Sequence, residues 1–295
     1  MNPEMEVAAD LIVPLDPNIL CISDEEKDFL LKAVHPDCDV IRARIFEVQK
    51  EASEKYPYPC IRAFHFANLM MRKNAIYPSV VEAGRKGDTL LLDLGCCMGT
   101  DVRKLVLDGY PATNVLGCDL RPEFIQLSHK FFSDSPVTCK IRFFADNAFD
   151  LPLGTTESEP PTEVPTEVTS LSQLQGALTH VYTGALFHLF NEENQYALAL
   201  RVASLLKRVP GAVVFGRHQG LENAGTIDDH LGRDRYGHSE ASWTDMWKRV
   251  FTKLECDTFA TERVVVQARL TEGFQRNIFQ SHRTHRMLYW SVCIV

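Results

Sequence analysis

The stretch that decides the fold is residues 89–100, which read Thr-Leu-Leu-Leu-Asp-Leu-Gly-Cys-Cys-Met-Gly-Thr. Its first six residues form a nearly continuous apolar run, which is typical of a strand buried on both faces of a parallel sheet. The run ends in a turn that contains Gly95 and Gly99, and Thr100 can cap the helix that follows. The stretch therefore predicts a strand, a glycine turn and a helix in direct succession.

The same alternation continues toward the C-terminus. Amphipathic helical patterns separate further predicted strands at βαβ spacing, and these strands cover residues 114–119, 140–145, 179–184 and 212–216. Two final predicted strands, 263–269 and 287–294, are close enough in the sequence to pair as an antiparallel ribbon at one sheet edge. The predicted fold is α/β, with a doubly wound, mostly parallel sheet and an antiparallel final strand pair.

The residues before about 85 have a helical pattern instead. A capping-box-like start at Ser23 opens the first predicted helix, and two more are predicted at 37–55 and at about 61–73. We therefore expect an N-terminal helical cap at residues 1–85 and an α/β domain at 86–295. The segment from about 154 to 173 is rich in Thr, Glu, Pro and Ser, which predicts a mobile surface insertion.

Charge, hydropathy and cysteine content exclude several classes of function. The 295 residues carry a formal net charge of −8, so no basic field is available for a nucleic acid. The N-terminus lacks the features of a signal peptide, and no apolar run approaches the roughly 20 residues that span a bilayer. The nine cysteines show neither a C-x-x-C pair nor zinc-site spacing. We expect a cytoplasmic protein with no metal, no disulfide framework, and no nucleic-acid or membrane partner.

The glycine turn predicts a ligand site. Glycines at a strand-to-helix turn let a ligand approach the backbone closely, and the helix N-terminus offers free N–H groups. Gly95 and Gly99 stand there, behind Asp93, and Asp119 ends the next strand, where a carboxylate can accept both hydroxyls of a ribose. The pattern indicates a nucleoside, and at this level it leaves open whether the nucleoside belongs to adenosylmethionine or to a nicotinamide dinucleotide.

The turn resembles a known family. It lacks G-x-G-x-x-G and is similar to the acidic-x-Gly-x-Gly-x-Gly signature of class I S-adenosylmethionine-dependent methyltransferases, with Cys97 in place of the middle glycine. The resemblance extends from about residue 61 to the C-terminus. Three stretches also resemble fungal secondary-metabolite O-methyltransferases, including those that methylate aromatic polyketide or meroterpenoid acids; these are residues 92–101, 117–124 and 213–218.

This resemblance implies S-adenosyl-L-methionine as the cofactor. Asp119 would accept from the ribose and Asp146 from the adenine amino group. Ala148 or Phe149 would pack on the adenine ring. On the alternative interpretation, Asp146 only caps a loop. The implied cofactor-binding residues are Asp93, Gly95, Cys97, Gly99, Asp119, Leu120, Asp146, Asn147, Ala148 and Thr183.

The resemblance further implies a small-molecule acceptor, a carboxylate or a phenol, under the helical cap. His188, in the loop after the fourth strand, is the catalytic candidate as a general base, although a packed core histidine fits the same pattern. Arg217, His218 and His238 belong to a long polar loop predicted after the fifth strand, and His65 lies in the cap; these four are the candidate acceptor contacts. A nicotinamide-dependent oxidoreductase and a non-catalytic binding protein of the same fold remain as alternatives.

Overall fold

A computed structural model describes residues 12–153, 165–227, 232–272 and 286–295. Its strands are β1 (Leu91–Leu94), β2 (Val115–Asp119), β3 (Arg142–Ala145), β4 (His180–Gly184), β5 (Val213–Gly220), β6 (Gly225–Ile227), β7 (Arg235–Gly237), β8 (Val264–Glu272) and β9 (Arg286–Ile294). Its α-helices are α1 (Asp24–Ala33), α2 (Cys38–Lys55), α3 (Pro59–Arg62), α4 (Tyr77–Lys86), α5 (Thr100–Leu107), α6 (Pro122–Phe132), α7 (Glu192–Leu205), α8 (Glu240–Leu254) and α9 (Asp257–Glu262).

Seven of the strands form one sheet in the order β3-β2-β1-β4-β5-β9-β8. The first five are parallel, and β9 runs antiparallel between β5 and β8. The strand order reverses between β1 and β4, and ligands of open α/β sheets bind beyond the carboxyl ends of the strands at such a point. The predicted α/β fold with an antiparallel final strand pair is confirmed.

Apolar side chains on the two faces of the sheet pack under different helices. On one face, β1 and β5 pack with α4 and α5 through residues such as Val80, Leu105 and Phe215. On the other, they pack with α7 and α8 through residues such as Val214 and Trp247. Because strand side chains alternate between faces, consecutive residues of one strand belong to different cores.

The N-terminal helices form a third core with α6. Phe29 of α1 and Ile45 of α2 pack in one cluster with Phe131 and Phe132 of α6. The capping box predicted at Ser23 is present, since the Ser23 side chain accepts from the Glu26 backbone N–H and the Glu26 carboxylate accepts from that of Ser23. These helices thus cover the edge of the α/β layer that carries β2 and β3.

The helix predicted at 61–73 is wrong. Helix α3 ends at Arg62, because Phe64 adopts a left-handed conformation with φ of 60°. The Gln49 side chain donates to the carbonyls of Ile61 and Arg62 and so ties this bend to α2. Two short 3-10 turns, His65–Ala67 and Met71–Lys73, follow before α4 begins.

The insertion predicted at 154–173 is also too long at its C-terminal end. Residues 154–164 lie outside the described part of the chain. Val168 and Leu171 are buried in the core beside α7, and a 3-10 turn runs from Leu171 to Leu174. Five apolar residues between positions 168 and 178 are buried, and the polar residues between them dominate the local composition, so composition alone does not reveal this part of the core; the five are Val168, Leu171, Leu174, Ala177 and Leu178.

The polar loop predicted to begin at Arg217 starts later than expected. Strand β5 continues through Gly220, because β9 pairs with it along its whole length. Beyond it, β6 and β7 form a small antiparallel ribbon, and residues 228–231 of the predicted loop are outside the described ranges. Arg217 and His218 are therefore strand residues.

Candidate functional site

The turn after β1 is held tightly against β2. The backbone N–H groups of Gly95 and Cys96 both donate to the Cys118 carbonyl, at 2.8 and 3.0 Å. Gly95, Cys97 and Gly99 all have positive φ, at 81°, 51° and 61°. A Cβ at position 99 would also lie 2.6 Å from the Phe143 ring, so this position requires glycine for space as well as conformation.

Asp119 lies against the same turn, as predicted. One of its carboxylate oxygens accepts from the Cys97 N–H at 2.7 Å, and the other accepts from the Arg121 N–H at 2.9 Å. Burial raises the pKa of this carboxyl, although the backbone N–H groups lower it in part. A carboxylate oxygen can accept more than one hydrogen bond, so Asp119 keeps capacity for a ribose hydroxyl.

Two further acidic groups, Asp93 and Asp101, lie close to each other, and Asp93 is also close to Asp119. Asp93 is buried, and burial together with the charges of Asp101 and Asp119 raises its pKa well above the ordinary value. Asp101, at the start of α5, accepts from the backbone N–H groups of Met70 and Met71 at 2.8 and 2.9 Å. Desolvated carboxylates of this kind are stabilised by a positive charge, and adenosylmethionine carries a sulfonium and an ammonium group. The residues present therefore fit this cofactor.

Asp146 follows β3, next to Asp119, whose carbonyl accepts from the Asp146 N–H at 3.2 Å. Its carboxylate accepts from the backbone N–H groups of Asn147 and Leu171 at 2.8 and 2.7 Å. Asn147 in turn accepts from the Phe149 N–H. In this conformation Asp146 joins two loops, as in the loop-capping alternative, and contact of Asp146, Asn147 or Ala148 with an adenine stays a prediction.

A stacked aromatic pair, Tyr56 and Tyr58, covers the Asp119 side of the turn. The rings of Tyr56 and Tyr58 stack at 5.0 Å, and the Arg121 guanidinium lies 3.5 Å from the centroid of Tyr56. Asp119 and Arg121 both perturb the pKa of Tyr58, which burial raises. Leu120, between the two charged residues, is exposed.

Thr183 and the loop that follows β4 close the other side of the turn. Thr183 is buried at the end of β4, and its hydroxyl has no hydrogen-bond partner among the described residues. Ala185 has a left-handed conformation, and its N–H donates to the Arg217 carbonyl at 2.7 Å. Leu186 then lies beside Gly95, 3.6 Å from where a Cβ would stand.

His188, the predicted base, lies in a cationic environment. Its Nδ1 accepts from the Gln219 backbone N–H at 3.4 Å, and its carbonyl accepts from the Arg235 side chain at 2.7 Å. Burial, followed by the positive charge of Arg235 and by other basic neighbours, lowers its pKa well below the ordinary value. The ring is therefore neutral at pH 7 and a weak base.

The four predicted acceptor contacts do not lie together. His218 is fully buried, and its Nδ1 accepts from Trp290 Nε1 at 3.0 Å. His238 is also buried, with Nδ1 paired to the Ser242 hydroxyl at 2.9 Å and its ring against Trp243. Both rings lie in the core beside Trp243, and contact of either one with the acceptor stays a prediction.

Arg217 and His65 are placed differently from these two histidines. Arg217 lies on the opposite face of β5 from His218, and the pKa of His65 falls to about 3 because of burial and then the charge of Arg217. His65 retains partial exposure. Arg217 is also close enough to Asp101 for its positive charge to lower the pKa of that carboxyl, which burial raises.

No helix among residues 12–153, 165–227, 232–272 and 286–295 is long and apolar enough to cross a membrane. In the same described ranges, His, Cys, Asp and Glu side chains nowhere gather in threes as a metal ion would require.

The N-terminal segment of the chain matches a known protein family. Residues 15–67 fit the family model of the meroterpenoid methyltransferase N-terminal domain. These residues form α1, α2, α3 and the bend that follows, which is the part of the chain that packs on α6.

Two curated relatives cover most of the chain. The methyltransferase ausD of Aspergillus calidoustus is 30% identical over 260 residues, which cover 86% of this chain and 88% of that protein. The asnovolin E/chermesin D methyltransferase nvfJ of Aspergillus novofumigatus is 31% identical over 211 residues, which cover 71% of this chain and 70% of that protein.

Among solved structures, a similar one is the 1,6-didemethyltoxoflavin-N1-methyltransferase of Burkholderia thailandensis, determined with its substrate and S-adenosylhomocysteine. It is 12% identical, with a TM-score of 0.46, and the match covers 75% of this chain and 78% of that chain.

Proposed function

Since this chain belongs to the methyltransferases of fungal secondary metabolism, we propose that it transfers a methyl group from S-adenosylmethionine to a carboxylate oxygen of an aromatic polyketide or meroterpenoid. The proposal includes residues 1–85 as a cap over the acceptor. It also includes a cytoplasmic site of action, which the nine free thiols support.

The cofactor would be held by the turn Gly95–Gly99, by Asp119 and by Asp93. The Asp119 carboxylate would bind the ribose, and the buried acids beside it would stabilise the positive charge of the ligand. When bound, adenosylmethionine supplies an electrophilic methyl group for in-line displacement. The task left to the protein is to position an acceptor oxygen and to keep it ionised.

The observation that carries the choice of a carboxylate is the environment of His188. Its Nδ1 accepts a backbone N–H, its pKa is lowered, and Arg217, Arg233 and Arg235 contribute positive charge around it. A phenol has an ordinary pKa near 10 and needs a base, whereas a carboxylic acid with a pKa near 4 is already ionised at neutral pH. A weak base among cations therefore favours an acceptor that arrives as an anion.

The experiment is a paired assay of acids and phenols. Purified protein with S-adenosylmethionine is offered aromatic hydroxy acids and the methyl esters of the same acids, and products are read by mass spectrometry. The proposal expects methyl esters from the acids and no ether from the ester substrates. Ethers from the ester substrates, without esters from the acids, would reject it.

The variant His188→Gln sharpens the test. Glutamine can still accept from the Gln219 N–H but cannot act as a base, so turnover of a carboxylate should change by less than about tenfold. An enzyme that needs His188 as a base should lose about 10²–10⁴-fold. Equal binding of adenosylhomocysteine by wild type and variant, measured by calorimetry, is the control for an intact site.

A further inference from the structure

Two buried hydrogen-bond donors near the carboxyl end of β4 have no partner among the described residues. Arg217 is only 4% exposed, its Nε makes no hydrogen bond, and its guanidinium forms no salt bridge with the described residues. Tyr182 is 2% exposed, and its hydroxyl has no hydrogen-bond partner either. Unpaired buried donors are costly, and a buried charge without a partner more so, which makes their coincidence informative.

The sheet brings these two groups together. Arg217 is paired with Gly184 across β4 and β5, so their side-chain positions lie on one face. The Tyr182 hydroxyl lies 3.0 Å from the place where a Cβ of Gly184 would stand. Glycine at 184 thus leaves the space beside Arg217 to the tyrosine hydroxyl. Both groups face the side of the sheet that packs with α4 and α5.

The N-terminal segment completes the surroundings. The Asn74 side chain donates to the carbonyls of Gly216 and Trp290 at 2.9 and 3.0 Å and so fixes this segment against β5. His65 is carried on the same segment and is close enough for the charge of Arg217 to lower its pKa. Asp101 is the nearby acid, but it forms no ion pair with Arg217 and accepts instead from Met70 and Met71.

From this arrangement we infer that Arg217 and the Tyr182 hydroxyl form a carboxylate-binding subsite at the mouth of β4 and β5. A cation and a neutral hydroxyl donor that converge without acceptors match the two oxygens of a carboxylate. The inference rests on the proposed function, because that function places two carboxylates here. One is the acceptor itself, and the other is the amino-acid end of the cofactor.

The test compares Arg217→Gln and Tyr182→Phe with wild type by calorimetry. The cofactor arm uses adenosylhomocysteine and 5′-methylthioadenosine, which has the nucleoside but lacks the amino-acid end. The acceptor arm uses 2,4-dihydroxy-6-methylbenzoate and its methyl ester, titrated into protein saturated with adenosylhomocysteine. Arg249→Gln, an exposed position on α8 at the opposite face of the sheet, is the matched control.

If the subsite binds the amino-acid end, Arg217→Gln weakens adenosylhomocysteine at least tenfold and leaves methylthioadenosine unchanged. If it binds the acceptor, cofactor affinity is unchanged and the benzoate loses at least tenfold, while its ester is unaffected. Tyr182→Phe, which removes one oxygen from a buried ring, should weaken the same ligand in either case. The inference is overturned if both variants bind all four probes as wild type does.

The two proposals fail differently. Wild type that binds no adenosylhomocysteine overturns the proposed function, whereas normal wild-type binding with unaffected variants overturns only the subsite. Arg217→Lys retains the charge and serves if Arg217→Gln does not fold. It should then weaken the affected ligand less than tenfold but measurably, because a point charge replaces a planar pair of donors.

Discussion

Arg217 and His218 are consecutive in β5 yet belong to opposite faces of the sheet. Phe215, two residues before Arg217, packs under α4 and α5, whereas Val214 packs with α7 and α8 on the side where His218 contacts Trp243 and Trp290. A single polar cluster in the sequence is therefore divided between the face of the sheet that packs with α4 and α5 and the face that packs with α7 and α8.

This division predicts different effects for the two positions. His218→Leu removes the acceptor of the Trp290 N–H, so the free energy of unfolding in urea should fall by about 1–3 kcal/mol. Affinity for adenosylhomocysteine should stay within threefold of wild type. A His218→Leu protein with normal stability and weakened ligand binding would place the ring in the site after all.

Asp119→Ala is expected to weaken adenosylhomocysteine at least tenfold. The substitution removes the carboxylate that would bind the ribose and leaves the Cys97 and Arg121 N–H groups without their acceptor. Calorimetry measures the affinity, and thermal unfolding checks the fold. Asp150→Ala, at an exposed position beyond Ala148, is the control and should bind normally.

Cys97→Gly should be tolerated. Cys97 has φ of 51°, a conformation that costs a residue with a side chain about 1–2 kcal/mol. Glycine avoids this cost, but its greater conformational freedom in the unfolded chain reduces the gain in stability by about 0.5–1 kcal/mol. Unfolding free energy should therefore rise by no more than about 1 kcal/mol, with cofactor affinity retained. Gly99→Ala is the contrasting variant, because its Cβ would collide with Phe143, and it should lose affinity. Equal behaviour of the two variants would contradict this account of the turn.

The segment at 154–173 should divide into a dispensable part and a structural part. Replacement of residues 154–164 by a short Gly/Ser linker should preserve cofactor affinity, since loop length changes closure entropy only slightly. Leu171→Ala, in contrast, empties a fully buried position and should cost about 2–5 kcal/mol in denaturant unfolding. A Leu171→Ala protein as stable as wild type would show that this turn is not part of the core.

Acid should destabilise the protein through its buried histidines. Burial lowers the pKa of His238 and of His180 to about 4, below the ordinary value of 6.5. As the pH falls, these histidines are protonated in the unfolded chain before they are protonated in the folded protein. The free energy of unfolding therefore decreases as the pH falls from 6.5 toward 4. The raised pKa values of Asp93 and Asp119 act in the opposite direction, and a single variant is therefore the cleaner measurement.

His238→Asn supplies that measurement. Between pH 7 and pH 5 the variant should lose about 2 kcal/mol less unfolding free energy than wild type, because one proton-binding site of the unfolded chain is gone. Parallel curves for wild type and variant would contradict the lowered pKa of His238.

The sequence by itself determined the α/β sheet, the turn at Gly95–Gly99 and its pairing with Asp119. These features depend on local patterns: an apolar run, glycines where φ is positive, and an acid at the end of the next strand. The resemblance carried by the same residues led to the methyltransferase family, which the curated relatives confirm.

Only the tertiary structure decided which polar residues meet. The length of β5 depends on β9, a strand about 70 residues away, and that length sets Arg217 and His218 on opposite faces. Likewise the helix predicted at 61–73 is interrupted near Phe64, where the Gln49 side chain donates hydrogen bonds to the carbonyls of Ile61 and Arg62. Tyr182 joins Arg217 because Gly184 leaves it room. Such relationships arise from pairing between distant segments, and a pattern within one segment does not contain them.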